Sequence, residues 1–376
     1  MVFQVNYSAL DRLVHRIAFS TPSVQLAAAD IERAVFGAVY GDVRTTRPIF
    51  VTSLPRSGTT LILEALCRFP SLASHIYRDM PFVMAPVLWS KLIHTFHKRA
   101  DMRERAHRDG MLTGYDSPEA FEEILWRTFW PEKYTGDRIK LWEATDAKDE
   151  ALRFFDDHMK KIIVLRSCGA TPEVRYVSKN NGNIARLDLL GRMFPGAQIL
   201  VPIRRPVEHA VSLLRQHRNF LKMHAKEPFI RRYMADIGHY EFGALHQPIA
   251  FPEFDALTTG RDPLMVDYWL GYWIAVLEHL LSRRDAVIPL SYEATCDAPR
   301  SALAELCARL DIPARRGSCP FQKASAAARR AAANGFWVTR PGRRTPPGHF
   351  DSLSIEKTNS PPLFKLPLLI RNASAR

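Results

Sequence analysis

The segment Ser53-Leu54-Pro55-Arg56-Ser57-Gly58-Thr59-Thr60 gathers the residue types that bind an anion: hydroxyls, a glycine and one arginine. An apolar run, Ile49-Phe50-Val51-Thr52-Ser53-Leu54, leads into it and reads as a buried strand. A helical pattern runs out of it from Thr59 through Leu61, Ile62, Leu63, Ala65 and Leu66, stopping near Phe69-Pro70. In a strand–turn–helix setting, successive backbone N–H groups and the positive end of a helix form a cradle for a phosphate-like group. The nucleotide-binding loop GxxxxGK[ST] is the natural comparison. Gly58 takes its second glycine and Thr60 its hydroxyl position, Ser53 replaces the first glycine, and Thr59 replaces the lysine that reaches the β- and γ-phosphates. That last replacement argues against an ATPase. The cation has moved to Arg56, inside the loop. The plain alternative is a strand-to-helix turn that merely contains Gly and Thr.

Such a loop needs a sheet to hold it, and the chain supplies further strand and helix patterns. Residues 1–46 read as polar-apolar helices, with Leu10, Leu13, Val14 and Ile17 at helical spacing. Arg175-Tyr176-Val177-Ser178 reads as a strand followed by a helix from about Ile184 to Met193. Gln198-Ile199-Leu200-Val201-Pro202-Ile203 reads as another strand, ended by Arg204-Arg205. Pro206 suits the first turn of the next helix, expected to reach about Leu221. A long helix near 264–283, a strand over Ala286–Ser291 and a helix capped by Asp297 and ending near Leu310 complete the pattern. Strands alternating with helices predict an α/β fold: a P-loop-like three-layer arrangement with a central parallel sheet of about five strands and helical insertions. We divide the chain into an N-terminal helical extension (1–46), an α/β domain (47–312) with a helical and loop insertion (71–170), and a basic Pro/Gly-rich C-terminal segment (313–376).

Composition narrows the function classes. The chain has 376 residues, 47% hydrophobic and 24% charged, which excludes a disordered chain, a collagen-like fibre and a coiled-coil rod. No stretch approaches the roughly 18 uninterrupted apolar residues of a membrane span, and Asp11, Arg12 and Arg16 stand where a signal peptide needs an apolar run. A cytoplasmic protein is the expectation. Fifty-two basic against 39 acidic residues give a net charge of +13, which favours anionic partners. Five cysteines, with no CxxC pair, read as reduced thiols rather than a disulfide framework, and no metal-ligand cluster is visible.

Pro55-Arg56-Ser57-Gly58-Thr59-Thr60 followed by Leu61 resembles the 5′-phosphosulfate loop of sulfotransferases that use 3′-phosphoadenosine 5′-phosphosulfate (PAPS). The match is to bacterial members and tyrosylprotein sulfotransferases, which carry Arg in the loop. A second signature of that family is an Arg at a strand end and a Ser eight residues later, both on the nucleotide 3′-phosphate. Arg204 and Ser212 occupy those places in Arg204-Arg205-Pro206-Val207-Glu208-His209-Ala210-Val211-Ser212. The resemblance runs from about Pro48 to Leu310. It implies in-line transfer of a sulfuryl group from PAPS to a hydroxyl or amine, without a metal, leaving 3′-phosphoadenosine 5′-phosphate. Arg56 would stabilise the leaving oxygen, and Ser57, Gly58, Thr59 and Thr60 would hold the 5′-phosphate. Arg204 also stands at a strand's C-terminal edge, where open α/β sheets bind ligands. Ser212 lies roughly 9 Å along its helix at 1.5 Å per residue, so its role rests on the resemblance.

A hydroxyl acceptor needs a base. Related enzymes use a carboxylate about twenty residues after the loop, where this chain has Ser74-His75-Ile76-Tyr77-Arg78-Asp79. Asp79 is the first candidate and His75 the second, against the alternatives of an ion pair for Asp79 and a surface or supporting role for His75. Glu119, Glu122 and Glu123 are a third set, read mainly as the acidic start of a helix. Lys179-Asn180-Asn181 resembles a Lys-Asn/Thr segment of bacterial members near the acceptor side, which implies that Lys179 adds positive potential at the transferring sulfuryl group; the alternative is a solvated strand-edge lysine in a structural loop. Tyr292-Glu293 reads as structural, and Arg340-Pro341-Gly342-Arg343-Arg344 as either a closing loop or a basic tail. The aromatic stretch 80–142, with its apolar Met80–Trp89 run, suggests a wall for a hydrophobic acceptor such as a lipid or phenol, a small molecule or glycan being the wider class, though such density also fits a core. Two other classes stay open: an ATP-using P-loop transferase or kinase, and a non-enzymatic binder of anionic partners. The second lacks any run of five or more basic residues.

Overall fold

The computed structural model describes residues 9–93, 103–104, 112–113, 117–167 and 173–312. The C-terminal segment 313–376, with Arg340–Arg344, lies outside the described residues, as do Cys168 and Cys319. Five parallel strands form the central sheet: β1 (Ile49–Val51), β2 (Leu72–Ala73), β3 (Arg175–Lys179), β4 (Gln198–Ile203) and β5 (Ile288–Ser291), in the order β2-β3-β1-β4-β5. Ile49 pairs with Val177 on one side and Gln198 on the other, which puts β1 at the centre. Its three residues are fully buried. A parallel strand covered on both faces must be apolar throughout rather than alternating, and Ile-Phe-Val is. A two-residue hairpin, Arg103–Glu104 with Leu112–Thr113, lies apart from this sheet.

The period-two alternation of a strand divides β1 between two layers. Ile49 and Val51 pack with Ile62, Leu63 and Leu66 of α3 (Thr59–Leu66) and with Leu303 and Leu306 of α13 (Pro299–Arg309). Phe50 points into the larger core. There it joins residues of α5 (Glu123–Phe129), α6 (Asp149–Arg166), α7 (Leu187–Met193), α8 (Pro206–Lys226) and α11 (Val266–Leu281). Helices α1 (Ala9–Ala18) and α2 (Pro22–Tyr40) precede the sheet, and α2 packs on α4 (Pro86–Ile93) and α6. The remaining helices are α9 (Pro228–Asp236), α10 (Phe254–Thr258) and α12 (Tyr292–Asp297). No helix among the described residues is long and apolar enough to cross a membrane.

Several local expectations change: the strand expected over Ala286–Ser291 begins at Ile288, and the one expected over Ile49–Leu54 ends at Val51. Asp297 is not a cap: it ends α12, and α13 starts at Ala298-Pro299, where proline occupies the first turn without losing a helical bond. The helix expected from Ile184 is a 3-10 turn, Asn181–Ala185, followed by α7 from Leu187. Helix α8 runs to Lys226, beyond Leu221.

The aromatic stretch is core rather than wall at its buried positions. Val83, Met84, Ala85 and Val87 are buried, and so are Phe121, Trp126, Trp130 and Trp142. Trp126 and Trp142 enclose the guanidinium of Arg186, with ring centroids 4.6 and 4.3 Å from its Cζ. Arg186 has no exposed surface, and it donates to Glu123 Oε2 at 2.9 Å and Oε1 at 2.8 Å. Burial works against the Glu123 carboxylate, but the Arg186 charge and the bonds from Arg186, Tyr134 and Asn180 hold its pKa below the usual range. Glu122, also buried, accepts from Tyr176 Oη at 2.8 Å and Asn183 Nδ2 at 3.2 Å. These two acids anchor α5 in the core. Glu123→Gln should therefore leave Arg186 buried without a full counter-charge. We expect a loss of about 3–5 kcal/mol, read as a lower urea midpoint at pH 7; an unchanged midpoint would remove Glu123–Arg186 from the list of core supports.

Candidate active site

Strand β1 delivers the loop. Thr52 N donates to Leu200 O at 2.9 Å, carrying the ladder one residue past the strand. The chain then turns sharply: Ser57 Oγ donates back to Leu54 O at 2.9 Å, and both Arg56 (φ 74) and Gly58 (φ 99) take left-handed conformations. Gly58 caps α3, and Ile62 N donates to its carbonyl at 3.1 Å. Glycine is required there twice over. Its φ is hard for an L side chain, and a Cβ would sit 2.7 Å from Tyr292 Cδ2. Arg56 has no such exemption, and a left-handed non-glycine residue costs on the order of 1–2 kcal/mol. Surrounding bonds must hold it.

Those bonds come from the end of β4 and from α8. Arg204 Nη1 donates to Arg56 O at 3.0 Å. His209 Nε2 donates to Pro55 O at 2.8 Å, and Arg56 Nε lies 3.5 Å from Ser212 Oγ. The two expected anion-binding segments, 148 residues apart in the case of Arg56 and Arg204, thus meet at one turn. Arg204 also lies over the ring of Tyr292, 4.8 Å from its centroid. Burial lowers the Arg204 pKa, partly opposed by Tyr292 and reinforced by the Arg56 charge; an arginine so shifted stays protonated at neutral pH. Arg205 N donates to Glu293 Oε1 at 3.0 Å, while the Arg205 side chain is exposed. Glu293 thus holds the start of α8, and Tyr292 packs between Arg204 and Gly58.

Sequence reasoning missed His209. Burial above all, with the Arg204 and Arg56 charges adding to it against a favourable bond to Pro55 O, depresses its pKa to about 3. The neutral ring keeps its proton on Nε2 and clamps the loop. Its spacing from Ser212, three residues on one helix face, was the available signal. Asn181 stood in the segment named for Lys179 but was given no role of its own. Its Oδ1 accepts from Thr59 Oγ1 at 3.3 Å, and its carbonyl accepts from Thr52 Oγ1 at 3.2 Å. The Ser57 and Thr59 hydroxyl protons therefore point into the protein. An anion over the loop would meet the backbone N–H groups, the half-buried Thr60 and the cationic side of Arg56.

A cleft opens beside the loop. Ser53, Leu54 and Pro55 form part of its wall, with Asn180, Asn181, Tyr240 and Glu241; Trp269 and Tyr272 of α11 line it as well. Asp79 and His75 are not among its lining residues. Asp79 is 4% exposed and is paired with Arg166, while its Oδ2 lies 3.1 Å from His75 Nδ1 and accepts from Ile76 N at 3.0 Å. Burial would raise its pKa, but His75 and Arg166 together hold the carboxyl below its usual range. His75 Nε2 in turn lies 2.7 Å from Nε2 of His158, which burial keeps neutral. The ion-pair alternative thus describes the surroundings of Asp79. Lys179 is 7% exposed, not a solvated edge lysine. Burial opposes ionisation of Glu119, but the charges of Lys179 and His239 outweigh it and lower its pKa.

The family profile that matches this sequence is that of the Sulfotransferase family, over residues 48–316. Solved structures with similarity include sulfotransferase STF1 from Mycobacterium tuberculosis H37Rv, at 18% identity and TM-score 0.46, covering 86% of this chain and 80% of that one. Sulfotransferase STF9 from Mycobacterium avium is similar at 15% identity and TM-score 0.43, covering 86% and 76%. The sulfotransferase domain from the curacin biosynthetic pathway gives 14% and 0.34, covering 80% and 95%. No curated protein matches.

Two predictions follow from the clamps on the loop. Gly58→Ala should destabilise the protein by about 1–3 kcal/mol. Adding Tyr292→Ala should cost less than the sum of the single changes, because it removes the atom the new methyl strikes; strict additivity in urea unfolding would count against that contact. Stability should also fall in mild acid. His209 has a folded pKa near 3, against about 6.5 when unfolded. Between those values the unfolded chain binds protons that the folded chain does not, so stability is present above pH 6.5 and declines as pH drops. At pH 4.5 this contributes a loss of up to about 2–3 kcal/mol, measurable as a lower melting temperature than at pH 7; a flat profile would contradict the buried neutral ring.

Proposed function

Since the chain belongs to the Sulfotransferase family and so transfers sulfuryl groups, we propose that its donor is PAPS and its acceptor a hydroxyl or amine of a small molecule, lipid or glycan. The observation that carries this reading is the meeting of Arg56, Arg204 and Ser212 at one turn. The loop Pro55–Thr60 would hold the 5′-phosphate through its N–H groups and the α3 N-terminus. Arg204 and Ser212 would hold the 3′-phosphate. Negative charge grows on the oxygen that bridges phosphorus and sulfur as that bond breaks, and Arg56 lies in the loop to stabilise it. A guanidinium remains charged through the reaction, so it acts as an electrostatic stabiliser rather than a proton donor.

In-line transfer of this kind depends on positioning and charge, as phosphoryl transfer does. Two guanidinium groups and a helix terminus supply that charge, so the reading includes no metal requirement. It also carries with it a cytoplasmic site of action. Asp79 and His75, the sequence-based choices for the base, sit in a buried pair with Arg166 that supports the β2 edge of the site. The cleft beside Pro55 is the place for the acceptor, and Trp269 and Tyr272 give it an apolar side.

Calorimetric titration without metal tests the reading. Adenosine 3′,5′-bisphosphate should bind with micromolar affinity, and Arg204→Ala should weaken it by about 2–3 kcal/mol, the loss of a charge-assisted contact. Clear binding of ATP with Mg2+ and none of the bisphosphate would instead favour the ATP-using transferase.

A further inference from the structure

We propose that Glu241 is the base that takes the acceptor's proton. The assignment rests on the sulfotransfer reading above and adds to it a residue far in sequence from both nucleotide segments. It begins from position. Glu241 lines the same cleft as Ser53, Leu54 and Pro55, the residues that lead into Arg56. It is also tethered to the loop. Asn181 Nδ2 donates to Glu241 Oε1 at 3.0 Å, and Asn181 Oδ1 accepts from Thr59 Oγ1 at 3.3 Å. One amide side chain therefore separates the carboxylate from the first residue of α3.

Availability separates Glu241 from the other acids. Two carboxylates line the cleft, and Glu123 has both oxygens engaged by Arg186. Asp79 is locked with Arg166 outside the cleft wall. Glu241 forms no ion pair with an arginine or lysine among the described residues. Its Oε2 lies 3.5 Å from His239 Nδ1, and its side chain is 25% exposed. A base needs a lone pair that faces the acceptor and is not already spent on a permanent cation. Of the cleft's two carboxylates, Glu241 meets that condition.

The step balances. The acceptor oxygen forms a bond to sulfur while the bond from sulfur to the bridging oxygen breaks. The bridging electron pair leaves with adenosine 3′,5′-bisphosphate beside Arg56. The hydroxyl proton goes to a Glu241 carboxylate oxygen and from there to solvent after release. The titratable groups around Glu241 are His239, Tyr240 and His246 on its own segment, Glu119 and Lys179 beyond His239, Glu123 across the cleft and Tyr272 on α11. A rate–pH profile reads this whole set, and only the Gln variant isolates one member.

The test compares wild type, Glu241→Gln and Glu241→Asp in release of the bisphosphate from PAPS, with phenol and with 4-nitrophenol as acceptors. Glutamine keeps an oxygen that accepts from Asn181, so the tether survives while the base is lost. We expect E241Q to slow transfer to phenol by about a hundredfold or more and to erase the acid limb of the rate–pH profile. The effect should be much smaller on 4-nitrophenol, which has already lost most of its proton at pH 8. E241D should recover part of the rate, and calorimetric affinity for the bisphosphate should stay within about twofold of wild type, since no phosphate contact changes. Equal slowing on both phenols, or no slowing with an unchanged pH profile, would overturn the assignment and leave Glu241 a structural ligand of Asn181. A wild-type protein that does not bind the bisphosphate would overturn the sulfotransfer reading itself, which the calorimetric arm identifies separately.

Discussion

A guanidinium held against the carbonyl of a second arginine sets the shape of this site. Arg204 donates to Arg56 O, and that bond does two things. It stabilises a left-handed arginine that the backbone alone would disfavour. It also brings two positive charges to one turn, where each raises the free energy of the other. The arrangement persists because Tyr292 lies over Arg204, His209 holds Pro55 and Gly58 gives Tyr292 room. Removing any of these would relax the turn rather than merely empty a contact. A cluster of like charge held in place by neutral neighbours is pre-organised for an anion, because its repulsion is already balanced by the fold.

The histidines show the same economy. His209 works as a neutral donor, and burial beside two arginines is what keeps it neutral. A charged ring there would add a third cation to the turn. His158 is likewise kept neutral by burial, next to His75. The buried set of Arg166, Asp79, His75 and His158 is thus a self-contained arrangement at the β2 edge, with Arg166 also donating to Ser74 O at 3.1 Å.

Much of this was legible in the sequence where the signal was local. The strand Gln198–Ile203 stands out as an apolar run bounded by Gly196 and Arg204, and its observed limits agree. The turn after β1 was readable because strand, glycine and hydroxyls follow one another directly. The contacts that hold the turn were not. Tyr292 against Gly58, His209 against Pro55 and Asn181 against Thr59 each join segments far apart in the chain, and no periodicity encodes such pairs. Composition misled in one place. Tryptophan and phenylalanine are as common in a core as in a pocket, and Trp126, Trp130 and Trp142 fill the former. Asp297 carried a real local preference for capping, but the proline two residues later set the start of α13.

Besides the helical side given by Trp269 and Tyr272, the cleft has two kinds of wall, and they differ in how freely they can change over evolutionary time. One kind is continuous with the sheet: Ser53–Pro55 and Asn180–Gly182 prolong β1 and β3. Altering those residues disturbs the nucleotide-side turn as well. The other kind, Gly238 to Ile249, is largely irregular chain between α9 and α10. Glu241 apart, which is bonded to Asn181, it can exchange side chains, or lengthen, while leaving the ladder and the paired arginines undisturbed. Descendants of this sequence could thus acquire a new acceptor through that one connection and inherit the donor side intact.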